Sequence, residues 1–223
     1  MKISKVGVVG GGTMGNGIAQ VCATSGLSVM MLDIDQESLD RGLGAISSSL
    51  ERLVRKDQLS VNDRDYTDLA DVDLVIEAAS EVEKVKLSII STLDKIVRKD
   101  TIIASNTSSM SITLLAAASS APNRVIGMHF FNPVPVMMLV ELIRGLQTDD
   151  STQQAAESFV KQINKTAISV KNSAGFAVNR ILVPMINESV FVLQEGVASA
   201  KDIDDGMRLG CNHVIGPLAL ADL

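Results

Sequence analysis

The chain has no tryptophan, one tyrosine (Tyr66) and five phenylalanines, so aromatic side chains make up only 3% of its 223 residues. Surfaces that stack nucleobases need such rings, and no basic block compensates for their scarcity. The net charge is −6, with 20 Lys and Arg against 26 Asp and Glu. Nucleic acid is therefore excluded as the main partner. Only two cysteines occur, Cys22 and Cys211, which excludes a disulfide framework and fits a reducing cytoplasm. The two histidines, His129 and His213, have no clustered Cys or His neighbours, so no metal site is expected. Although 46% of the residues are hydrophobic, no run is long and apolar enough to span a membrane. The first apolar stretch begins at Lys5, leaving no room for a signal peptide, and a cytoplasmic location is expected.

What is present centres on one stretch, Lys5 to Gly26. Lys5 to Val9 is a β-branched apolar run suited to a buried parallel strand. Gly10-x-Gly12-x-x-Gly15 follows directly, and Ile18, Ala19, Val21 and Cys22 then repeat at helical spacing up to Gly26. In such a turn Gly10 permits the tight bend, Gly12 lets backbone approach a pyrophosphate, and Gly15 lets helix and strand close up. Thr13 and Met14 open the helix, whose amino end favours phosphate. A second strand, Val29 to Leu32, ends in Asp33, where an acid accepts both ribose hydroxyls. No arginine or lysine stands in Ile34 to Glu37 to meet a 2′-phosphate, so NAD is expected rather than NADP.

The rest of the chain alternates. Glu37 to Leu59 reads as a helix with Ser49 and Lys56 on its polar face, Leu74 to Glu77 as a short strand, and Glu81 to Arg98 as a helix with Val85, Ile89, Leu93 and Ile96 inward. Thr101 to Ala104 is a strand ending in the polar cluster Ser105 to Ser109. Arg124 to Phe131 and Met137 to Ile143 are strands joined through Asn132-Pro133-Val134-Pro135. A helix at Thr152 to Ile163 and a strand at Ala167 to Val170 follow, and from Gly175 the pattern is wholly helical. The fold class expected is α/β, a Rossmann-like doubly wound sheet followed by an all-α C-terminal domain. The domains are expected at 1–174 and 175–223, the second reading as incomplete. Phe176 to Val197 is apolar on most faces, and such a helix is stable only when covered. The expectation is that the chain continues past Leu223 or that a partner covers this helix.

Spacing alone leaves several roles open. His129 fits a core histidine, but two antiparallel strands around a proline turn can also bring Glu141 beside it, making an acid–base pair. Ser108 could cap a helix, Asn179 could join two helices, and Glu81 with Lys86 looks like an ordinary charge pair on a helix.

The motifs GGGTMG (10–15), EAASEVEKVK (77–86), SNTSS (105–109), HFFNPVPVMMLVE (129–141) and GFAVNRILVP (175–184) together resemble the short-chain L-3-hydroxyacyl-CoA dehydrogenase family, especially its bacterial 3-hydroxybutyryl-CoA members. The resemblance covers nearly the whole chain. It implies NAD-dependent interconversion of (S)-3-hydroxyacyl-CoA and 3-ketoacyl-CoA, with His129 and Glu141 as the acid–base pair. It implies that Ser108 and Asn179 bind the reacting oxygen, and that Asn132 lies near the nicotinamide end. Glu81 and Lys86 match cofactor contacts, Ser49 and Lys56 match coenzyme A contacts, and a homodimer through the helical domain is implied. The sequence departs from the family pattern at Ala174 and Val214, where proline is usual, and in a shortened stretch from Leu59 to Asp68. A non-catalytic NAD-binding relative is the alternative, and the combination of His129, Glu141, Ser108 and Asn179 favours the enzyme.

Overall fold

In a computed structural model describing residues 2–33, 59–61 and 66–222, the apolar run Lys5–Val9 is the strand β1. It leads through the glycines to helix α1, Thr13–Thr24, and then to β2, Ser28–Leu32. The expected helix at 37–59, with Ser49 and Lys56, lies outside the described residues apart from Leu59. β3 is Leu59–Val61, a 3₁₀ turn spans Tyr66–Asp71, and β4 is Leu74–Glu77. Helix α2 (Glu83–Ile96), β5 (Ile102–Ser105), helix α3 (Ile112–Ala116) and β6 (Val125–Phe130) continue the alternation. β7 (Leu139–Arg144), helix α4 (Asp150–Gln162) and β8 (Thr166–Lys171) complete it.

The described strands form one eight-stranded sheet in the order β3-β2-β1-β4-β5-β6-β7-β8. Every neighbouring pair is parallel except β6 with β7. One face carries α1 and α4: Ile18 and Cys22, with Phe159 and Val160, join Val8, Met31, Ile76, Ile126 and Leu142 in a single buried cluster. Strand residues of the other parity, Val75 and Ile103, are equally buried, and α2 contacts β4 and β5. A sheet covered on both faces explains why its strands read as continuous apolar runs rather than alternating ones. Strand order reverses direction between β1 and β4, and ligands of such sheets bind at the carboxyl ends beside that reversal.

Helix α2 corrects the sequence reading in two respects. It starts at Glu83, so Glu81 lies in the turn before it. Its buried face is Lys86, Ile89, Ile90 and Leu93, whereas Val85 is 39% exposed. A lysine on the inward face is tolerated only with a partner, and Glu77 supplies one.

The chain divides into two compact units, Met1–Ala174 and Gly175–Leu223. In the second, helices α5 (Val178–Gln194), α6 (Ala200–Gly210) and α7 (Pro217–Ala221) contact one another. Ser199 caps α6 through the Asp202 amide, and the Asp204 carboxylate accepts from the amides of Leu218 and Ala219 at 2.8 and 3.0 Å. Pro184 lies inside α5, and Ile181, Val183, Val190 and Phe191 of that helix are exposed.

Candidate active site

Two adjoining clefts open at the carboxyl ends of the central strands. The larger, of about 900 Å³, is lined by Gly10, Gly12, Asp33, Tyr66, Ala79 and Val85 among others. The smaller, of about 340 Å³, is lined by Met14, Glu81, Ser108, His129, Phe131 and Asn132 among others. Both share Ala78 and Ala79, the residues that follow β4.

The glycine turn is fixed by close approach. Gly10 has φ +107°, and a Cβ there would lie 2.7 Å from the Ala78 carbonyl oxygen. A Cβ at Gly15 would lie 1.7 Å from the Gly10 carbonyl oxygen, which no side chain can satisfy. A Cβ at Gly12 would meet nothing within 4 Å. Protein packing therefore explains Gly10 and Gly15 and leaves Gly12 facing the open cleft. Among the described residues no side chain caps α1, so the amides of its first turn, Thr13 and Met14 among them, face the cleft mouth with the positive end of the helix dipole. These features fit a bound dinucleotide pyrophosphate. Asp33 closes the other side, its carboxylate accepting from the Gly11 amide at 2.5 Å.

The smaller cleft is walled by the end of β6 and by the segments that follow β4 and β5. The antiparallel register pairs His129 directly with Glu141. Their side chains meet, with His129 Nδ1 2.7 Å from Glu141 Oε2. A carboxylate only accepts, so the proton belongs on Nδ1 and Nε2 is the basic nitrogen. Glu141 is fully buried and His129 nearly so, and the Phe131 ring lies against the imidazole with centroids 4.5 Å apart. Asn106 ties β5 to this strand, its side-chain oxygen accepting from the Phe130 amide at 2.9 Å.

Glu81 organises the serine cluster. One oxygen accepts from the Thr107 hydroxyl, the Ser108 amide at 3.0 Å and the Ser109 hydroxyl at 3.0 Å. Burial pushes the Glu81 carboxyl up, but the Thr107 hydrogen bond and the Lys86 charge outweigh it and hold it below the ordinary value. The Ser108 hydroxyl takes no protein partner among the described residues and lines the smaller cleft. Asn132 is exposed at its rim. Asn179 lies in the first turn of α5, in the second unit.

One group escaped sequence reasoning. Glu77, 0% exposed, accepts from the Ala79 amide (2.7 Å), the Ser105 hydroxyl (2.6 Å) and Lys86 Nζ (2.8 Å). The only signal in the sequence was a charged residue closing an apolar strand. Among the described residues, no group of three or more His, Cys, Asp or Glu could hold a metal ion.

The model of the family described as "3-hydroxyacyl-CoA dehydrogenase, NAD binding domain" matches residues 5–173, and that described as "3-hydroxyacyl-CoA dehydrogenase, C-terminal domain" matches residues 175–223. The chain is 47% identical to a 3-hydroxybutyryl-CoA dehydrogenase of Bradyrhizobium diazoefficiens, over 99% of this chain and 79% of that one. It is 48% identical to a probable 3-hydroxybutyryl-CoA dehydrogenase of Deinococcus radiodurans, over 98% of this chain and 82% of the relative. The crystal structure of (S)-3-hydroxybutyryl-CoA dehydrogenase from Ralstonia eutropha superposes with a TM-score of 0.92 at 56% identity, covering 99% of this chain and 82% of that one.

Proposed function

The chain belongs to the 3-hydroxyacyl-CoA dehydrogenase family, and from that premise we propose that it interconverts (S)-3-hydroxyacyl-CoA, in particular 3-hydroxybutyryl-CoA, and the 3-ketoacyl-CoA with NAD. The observation that carries the reading is the buried His129–Glu141 pair, 2.7 Å apart at the wall of a cleft that adjoins the glycine turn.

The larger cleft holds the cofactor, with the Gly10, Gly12 and Gly15 turn and the amides of Thr13 and Met14 taking the pyrophosphate. Asp33 accepts the ribose hydroxyls in exchange for its bond to the Gly11 amide. Glu81, Ser108 and Asn132 line the reacting end. Bound there, the nicotinamide supplies the hydride acceptor. In the oxidative direction His129 Nε2 takes the substrate hydroxyl proton while the hydride leaves the carbon that bears that oxygen, and a C=O bond remains. Glu141 keeps the imidazole in the required tautomer and balances the imidazolium that forms. The Ser108 hydroxyl donates to the oxygen as it becomes a carbonyl, and a donor placed beforehand serves both directions. Ser49 and Lys56 bind coenzyme A. The reading includes a cytoplasmic location and a homodimer formed through the helical unit, where exposed Ile181, Val183 and Phe191 offer apolar area to a second copy.

The test compares NADH oxidation with acetoacetyl-CoA and with free acetoacetate. A higher kcat/KM for the thioester, by about two decades or more, is expected, because binding of the remote carrier lowers the barrier. Equal rates with both, or none with either, would reject the reading.

A further inference from the structure

Helix α4 ends in a turn that carries one ammonium into the protein. Asn164 is left-handed (φ 58°), its amide donating to the Lys161 carbonyl at 3.0 Å, and the Lys165 amide donates to the Val160 carbonyl at 3.0 Å. These two bonds are the Schellman pattern, which fixes the backbone of Lys165 just ahead of β8. Lys165 is 7% exposed, and its Nζ donates to the carbonyls of Val134 and Met137, both at 2.6 Å. The next amide, that of Thr166, takes the Met138 carbonyl at 2.8 Å. Among the described residues no carboxylate pairs with this ammonium, so peptide carbonyls meet the cost of burying its charge.

The three carbonyls belong to the connection between β6 and β7, the strands of His129 and Glu141. Asn132, at the rim of the smaller cleft, stands at the start of that connection. Within it the Pro133 carbonyl accepts from the amides of Val136 and Met137, both at 3.0 Å. The connection also rests on α1. A Cβ at Gly17 would lie 2.9 Å from Val134 Cβ and 3.1 Å from Val134 Cγ2. Gly17 sits inside α1, where glycine is less stable than alanine, and no left-handed backbone calls for it. The close approach of Val134, 2% exposed, accounts for that glycine. The connection is thus held by α1 and by Lys165 together.

We propose that Lys165 is a positioning residue of the reaction: it holds the carbonyls of Val134 and Met137 while Gly17 seats Val134, and so sets where Asn132 stands beside the His129–Glu141 pair. The inference rests on the dehydrogenase reading above. Lys165 lines neither cleft, so its effect passes through the connection and ends at Asn132. Without the ammonium, two buried carbonyls lose their donor, and the segment that carries Asn132 loses one of its two holds.

The experiment is a double-mutant cycle of Lys165→Met and Asn132→Ala, read by kcat with acetoacetyl-CoA and by NADH fluorescence titration, well below the lowest Tm. Backbone amide exchange of the parent and of Lys165→Met is followed in parallel. Lys165→Met should lower kcat about tenfold while NADH affinity stays within about threefold, because the glycine turn is untouched. The Val136 and Met137 amides should exchange at least about tenfold faster, and those of Gly10 to Gly15 at the parent rate. In the Asn132→Ala background the same substitution should lower kcat by less than about threefold. Equal kcat losses in both backgrounds would overturn the proposal, as would a Lys165→Met protein that loses Tm and keeps the parent kcat. If Lys165→Met does not fold, Gly17→Ala, which displaces Val134 from the α1 side, takes its place in the cycle under the same criteria. Should the parent turn over no substrate, the dehydrogenase reading falls, while amide exchange still judges whether Lys165 holds the connection.

Discussion

Replacing Glu141 by Gln keeps the size of the side chain and an oxygen able to accept from His129 Nδ1, and removes only the charge. The parent pair is 2.7 Å apart with Glu141 at 0% exposure. During oxidation the imidazole becomes an imidazolium, and its charge centre lies roughly 4 Å from that of the carboxylate. At an effective dielectric of about 20, that attraction amounts to about 4 kcal/mol. It acts only once the proton has moved, so its loss raises the barrier rather than weakening binding. The expected effect is a fall in kcat of about three decades in either direction, with the KM for acetoacetyl-CoA changed by less than about threefold. Folding should hold. The hydrogen bond survives in neutral form, and the Tm should move by less than about 5 °C. The assay is NADH absorbance under saturating substrate, beside a thermal melt. A variant with kcat within about threefold of the parent would refute the charge-balancing role. A variant that loses NADH binding together with its Tm would assign Glu141 to folding instead.

Three further outcomes follow from the geometry. Gly12→Ala should keep the parent Tm yet weaken NADH by about tenfold or more, whereas Gly15→Ala should lose both, because only the second Cβ meets backbone; equal Tm values would refute the packing account. Asp33→Ala should weaken NADH more than NADPH, and unchanged selectivity in paired titrations would dismiss Asp33 as the discriminator. Burial pushes the Asp73 carboxyl up, but the Ser4 and Lys5 amides and the Arg98 guanidinium outweigh it and bring the carboxyl down to about 2. A lowered folded-state value means that this stabilisation is full above the unfolded value near 4 and fades as pH falls toward about 2. The Tm gap between the parent and Asp73→Asn should accordingly be wide at pH 7 and close toward pH 2, and a gap independent of pH would count against it.

For the His129–Glu141 pair the sequence offered an opening, because a short proline-rich connection can bring two antiparallel strands together with both side chains on one face; the family resemblance, and not the spacing, chose that over a core histidine. The glycine turn was legible, since its spacing encodes backbone geometry directly. Lys86 and Glu77 were not. A lysine at helical spacing reads as solvated, and nothing local reveals that a buried carboxylate nine positions earlier will neutralise it. Val85 was misplaced by the same blindness: once Lys86 turns inward, Val85 is carried round to the larger cleft. The exposed apolar side of α5 was foreseen from its composition, because a helix apolar on most faces cannot bury all of them against two short neighbours.

The sheet order sets a length scale. The glycine turn leaves the end of β1, the Ala78–Ala79 turn follows β4, the serine cluster follows β5, and His129 stands on β6. Adjacent strands are about 4.8 Å apart, so three steps across the sheet separate phosphate cradle from base by about 14 Å. The sheet therefore works as a ruler. The pyrophosphate is the midpoint of a dinucleotide, so the nicotinamide half alone spans the two marks, and the adenosine half is left to run the other way, toward Asp33 at the end of β2.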